Sequence, residues 1–135
     1  MRALLSEIER NLDLAGSTKR MVDRDRDMLQ GNLEERLVLH RFHTDAWDAL
    51  VRQGSVQELG EAEDTLSRCY MELKEFNEVI DRFNQHGNRI VYIPSLENEL
   101  GGYGRKELLE ILREKSDEAE IILREARKEL KPMDL

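Results

Sequence analysis

A single cysteine, Cys69, is all the thiol chemistry this chain contains, so no disulfide can form within it and no zinc site can be built from several thiolates. A lone cysteine on an apolar stripe is expected to act as a small buried hydrophobe. Only two prolines interrupt the chain, and aromatic residues make up 5% of it, a composition that suits long amphipathic helices. No apolar run approaches the roughly 20 residues that a membrane span requires. The opening stretch MRALLSEIERN carries charge too early for a secretory signal. A soluble, cytoplasmic protein is the expectation, and membrane association would need an apolar span upstream of Met1. Positive charge is also in deficit. The formal net charge is −8 and the isoelectric point is about 5.0. Arginines sit beside acids, as in RDRD and LREARKEL, so no basic patch offsets the repulsion of a nucleic-acid backbone, and no nucleic-acid partner is expected.

What the chain does have is hydrophobic periodicity. At 135 residues it has the size of one domain, 1–135, with a single core. Leu5, Ile8, Leu12, Ala15, Lys19, Val22, Arg26 and Leu29 alternate three and four apart, which predicts a first helix from about Arg2 to Gln30. Lys19 and Arg26 interrupt that seam, Gly16 to Thr18 is a possible break, and Gly31-Asn32 is a natural stop. Thr44 reads as an N-cap, with Asp45 in the first turn of a short helix that carries Ala46, Trp47, Leu50 and Val51 inward and ends at Gly54. Ser55 and Glu58 have capping-box spacing and predict the start of the next helix. Its stripe is the cleanest in the chain: Leu59, Ala62, Leu66, Cys69, Leu73, Phe76, Ile80 and Phe83, widened by Tyr70 and Val79, up to a stop at Gly87-Asn88. RIVYIPSLENELGGYG reads as a connection, with a short extended piece at Ile90 to Ile93 and a turn at Ser95 to Leu100. The last helix is expected from Gly104 to Leu130, with Leu108, Leu109, Leu112, Ala119, Ile122, Leu123, Ala126 and Leu130 inward and Pro132 as its stop. The expected fold is all-α: an antiparallel up-down helical bundle of three long helices plus one short helix.

Candidate chemistry is sparse. His40 and His43 stand three apart, but the helix start at Thr44 separates them from a common helical face, and neither Asp45 nor His86 is placed by spacing as a third ligand. Asp23, Asp25, Asp27 and Glu34 match positions 1, 3, 5 and 12 of a calcium loop. Its sixth position, which requires glycine, is Met28, and two arginines interrupt the acids. The helical alternative lets Arg20, Asp23, Arg24 and Asp27 pair along a surface. GGYGRK, from Gly101 to Lys106, gathers cations and free backbone N–H groups at a helix start without P-loop spacing. The chain has no Glu-x-x-His pair of the di-metal bundle type, and no serine is matched to a histidine. No catalytic, cofactor-binding or metal-ligating residue is therefore expected.

EIERNL at Glu7 to Leu12, TDAWDALVRQG at Thr44 to Gly54, and Tyr70, Asn77 and Ile80 together resemble a loosely defined group of uncharacterised prokaryotic helical proteins. Many of these carry a membrane helix just before the matched region. The resemblance covers about the first two thirds of the chain and implies a helical hairpin or bundle module, with no assigned activity and no catalytic residues to carry over. This chain lacks the preceding apolar span.

The functional expectation is a non-enzymatic helical interaction or scaffold module that associates with itself or another protein. Leu37, Val38, Leu39, Phe42 and Trp47 are the contact candidates wherever the core does not consume them. The alternative is a metal- or anion-responsive ligand-binding protein.

Overall fold

The computed structural model describes residues 2–27, 38–87 and 105–131, and among these every regular element is helical. Helix α1 spans Arg2–Asp27, α2 Asp45–Arg52, α3 Glu63–Arg82 and α4 Arg105–Leu130. A 3₁₀ segment, Val56–Ala62, precedes α3, and a wide π-type turn, Phe83–Gly87, follows it.

The stripes of α3 and α4 drive the packing. Every inward position expected from their main stripes is buried, from Leu59 to Phe83 and from Leu108 to Leu130, while Val79 beside the α3 stripe is partly covered. Helix α1 lies chiefly along α4, and α3 packs on the same helix. Asp23 pairs with Arg113 at 2.7 Å and Lys19 with Asp117 at 2.9 Å, so positions rise along one helix as they fall along the other, and α1 and α4 run antiparallel. Thr65 donates to Glu129 at 3.0 Å near one end of α3, while Phe76 lies beside Ala119, which gives α3 and α4 the same antiparallel sense.

Helix α1 keeps part of the expected seam, with Ile8, Ala15 and Val22 buried, and is rotated about its axis at the other positions. Leu4, Ile8, Ala15 and Val22 are buried together with the polar residues Glu7, Asn11 and Thr18, while Leu5 and Leu12 are only partly covered and Lys19 stays at the surface. The seam is rotated because the inward face must serve backbone groups as well as apolar ones.

Helix α3 does not start at Ser55. Gly60 adopts φ 58°, ψ −125°, outside the helical region, and kinks the chain inside the 3₁₀ segment, shortly before the α-helix begins at Glu63. That left-handed φ is strained for residues carrying a Cβ. Ser55 makes no capping hydrogen bond through its side chain. The expected last residues of the first helix, Met28 to Gln30, the Gly31-Asn32 stop, the Ile90 to Ile93 piece, the Ser95 to Leu100 turn and the Pro132 stop lie outside the described residues.

Candidate functional site

Residues 38–44 form no regular secondary structure, yet three asparagine side chains hold their main chain. Asn84 accepts from the Leu39 N–H at 2.9 Å and donates to the Leu39 carbonyl at 2.8 Å. Asn77 accepts from the Phe42 N–H at 2.7 Å and donates to the Phe42 carbonyl at 3.2 Å. From α1, Asn11 accepts from the His43 N–H at 2.9 Å and donates to the His43 carbonyl at 2.8 Å. A side-chain amide presents the same donor and acceptor pair as a peptide group, so each fork satisfies both polar groups of one residue. Asn77 and Asn84 are seven residues apart, about 10.5 Å along a helix, and the three residues from Leu39 to Phe42 cover that distance at about 3.5 Å each, the rise of an extended chain. Leu39 and Phe42 point into the core, at 2% and 4% exposure, and Phe42 packs on Phe76 with ring centroids 4.9 Å apart.

The segment then enters α2, whose N-terminus is met by Glu7. This fully buried carboxylate accepts from the Ala46 N–H at 2.8 Å, from the Trp47 N–H at 3.4 Å and from the Tyr70 hydroxyl at 2.7 Å. A helix N-terminus leaves its first N–H groups unpaired and favours negative charge, and an acid from α1 supplies both needs. The expected cap, Thr44, makes no such bond: its hydroxyl donates to Asp48 at 2.9 Å. Trp47 stacks on Tyr70 with centroids 5.0 Å apart and planes 6° from parallel. Burial, and then the hydrogen bond to Glu7, push the Tyr70 phenol far above its ordinary range, so it serves as a donor. Lys74 bonds Asp48 at 2.8 Å from the solvent side and, with Thr44, holds the Asp48 carboxyl below the usual aspartate range.

The sequence candidates have different fates. Leu39, Phe42 and Trp47 are buried in the core, Val38 is 56% exposed, and Leu37 lies outside the described residues. Val51, expected inward, is 50% exposed. His40 and His43 are both exposed, and no group of three metal-ligating side chains occurs among the described residues. Residues 23–27 are helical, which does not fit the start of a calcium loop, and Asp23 is engaged by Arg113; Glu34 lies outside the described residues. Of GGYGRK only Arg105 and Lys106 are described, as the first residues of α4. Burial, then Glu72, push the Cys69 thiol up to about 12, which removes it as a nucleophile at neutral pH.

The residues that do most at this site, Glu7, Asn11, Asn77 and Asn84, were not singled out for chemistry. Their signal is positional: Glu7 and Asn11 are four apart, Asn77 and Asn84 seven apart, and each pair shares one helical face bordering the apolar seam. Glu7, Asn11, Trp47, Tyr70 and Asn77 also belong to the stretches that carry the resemblance above.

A second concavity lies between α1 and α4. Its volume is about 490 Å³, and Leu12, Asp13, Gly16, Arg20, Glu120, Arg124 and Arg127 line it. Arg124 approaches Glu120 at 3.6 Å. Among the described residues no helix is long and apolar enough to cross a membrane. Comparison with family models, curated proteins and solved structures gives no match.

Proposed function

We propose that the chain is a non-enzymatic helical module for protein–protein association, self-association first, built as an antiparallel up-down bundle in which the clamped segment and α2 form the short return leg. The observation that supports this is where the buried polar side chains point. Glu7, Asn11 and Asn77 are all spent on main-chain groups or on Tyr70. Exposed apolar side chains remain on the return leg and its neighbour: Val38, Val51 and Met71. Val51 follows Asp48 by one turn and Met71 precedes Lys74 by one turn, so each lies one turn from that ion pair. The likeness to the prokaryotic helical group is carried by residues of the clamp, and we take the clamp to be the feature the likeness reflects.

Light scattering after size exclusion, over about a hundredfold range of concentration, tests the reading. A mass rising toward the dimer, and reduced by V51E or M71E, supports it. A monomer mass throughout sinks it.

One observation favours a second reading, an anion-responsive protein: three arginines, Arg20, Arg124 and Arg127, face the α1–α4 groove against two acids. Inorganic phosphate bound there raises the melting temperature by mass action, and R124A with R127A removes the shift. An unchanged melting temperature at high phosphate excludes it.

A further inference from the structure

The return segment is held the way a bound peptide is held. Among the described residues no backbone–backbone hydrogen bond involves residues 38–43. Their main chain is addressed by Asn84, Asn77 and Asn11, and the helix start that follows by Glu7. Amide forks recognise groups common to every residue, so selection among occupants falls to the side chains in the apolar wells: Leu39, Phe42 and Trp47, each 7% exposed or less. At the far end the segment leaves through Gly54 and Gly60, the two described residues with positive φ, at 68° and 58°.

We propose that the α1–α3 face is a receptor for an extended segment, that residues 38–47 occupy it in cis, and that the same residues of a second copy occupy it in trans, producing a segment-exchanged dimer. This rests on the self-association reading and names its contact. The occupant must offer leucine, phenylalanine and tryptophan at the spacing of Leu39, Phe42 and Trp47, together with a helix N-terminus for Glu7. A second copy supplies all of these by construction. Exchange remakes every contact of the closed monomer, so the balance between closed and exchanged forms is set by concentration and by the backbone joining the segment to its neighbours. Val38 stands exposed at the start of the segment and Val51 near the end of the helix that follows it, so apolar surface flanks the exchanged residues on both sides.

The probe is a fluorescent peptide with the sequence of residues 38–53, titrated by anisotropy into the full chain. The wild type binds weakly because its own segment competes at high effective concentration. F42A, which weakens the cis occupant and leaves the forks intact, binds at least about tenfold more tightly, since 1.4 kcal/mol is tenfold and loss of a buried phenylalanine exceeds that. Adding N77A to F42A cancels the gain. Equal binding to all three chains, or no binding to an F42A chain with wild-type helix content, overturns the proposal. Should F42A fail to fold, hydrogen exchange on the wild type decides: the amides of Leu39, Phe42, His43, Ala46 and Trp47 exchange together, at least about a hundredfold faster than those of α3. A single rate for both sets overturns it. Excess peptide also converts the dimer to monomer. A dimer that persists at saturating peptide sinks the exchange and leaves self-association standing, whereas a chain that is monomeric at every concentration sinks both.

Discussion

Glu7 shows how one buried side chain can set the position of another element. Its two oxygens meet two backbone N–H groups of α2 and one phenol of α3, so three parts of the chain converge on one carboxylate. Replacing it by alanine strands those donors away from water, and the expected loss is about 1–3 kcal/mol per unsatisfied group at most, read as a lower urea midpoint at unchanged slope. Y70F removes a single donor and is expected to cost about 0.5–1.5 kcal/mol. The double variant E7A/Y70F should then cost less than the sum of the two, because the partners share one network. Gly16 presents the opposite case. It is not among the described residues with positive φ, and a Cβ there would meet nothing closer than Arg20 at 3.5 Å. G16A is expected to stabilise the chain by about 0.5–1 kcal/mol, through helix propensity alone, and thermal unfolding would show it.

At the scale of elements, the clamp and the α1–α4 seam answer to different perturbations. N77A removes one fork and leaves the Phe42 N–H and carbonyl without partners, with an expected cost of about 1–3 kcal/mol and the largest rise in hydrogen exchange at residues 38–47. Ion pairs border the seam: Arg113 joins Asp23 across it at 2.7 Å and Asp117 within α4 at 2.6 Å, and Lys19 joins Asp117 across it at 2.9 Å. The hydrogen bond from Arg113, then that from Lys19, hold the Asp117 carboxyl below the usual aspartate range. An acid whose pKa is lower folded than unfolded contributes stability above its unfolded value, near 4, and that stability is lost as pH falls through the folded value. D117N should therefore flatten the acid limb of the melting-temperature profile below about pH 4 and lower the neutral plateau only slightly, since the group is half exposed. A steep acid limb retained in D117N would assign it to other carboxylates.

For the whole molecule, net charge opposes association. Two copies each carrying −8 repel, so the dimer fraction should rise as sodium chloride increases from about 0.01 M, where the Debye length is roughly 30 Å, to about 0.5 M. A dimer held by ion pairs would weaken over the same range, which light scattering distinguishes. The large apolar side chains that remain exposed on the described surface are few, Val38, Val51, Met71 and Ile121, and three of them lie on or beside the return leg. The proposed contact is placed there for that reason, with Ile121 on α4 as the internal control: I121E should leave the mass unchanged.

The sequence by itself determined α3 and α4 and the composition of their core, since an uninterrupted apolar stripe at helical spacing has few other places to go. The short helix after Thr44 was legible for similarly local reasons. Only the tertiary structure decided the rotation of α1, the break at Gly60 and the course of residues 38–44. For α1 and for residues 38–44 the controlling partner is distant in sequence: Glu7 lies 39 residues from Ala46, and Asn84 45 residues from Leu39. Periodicity records which residues avoid water, but it does not record which polar side chain will satisfy a backbone group arriving from elsewhere. A polar residue bordering a seam therefore reads as surface until the chain that needs it has folded against it.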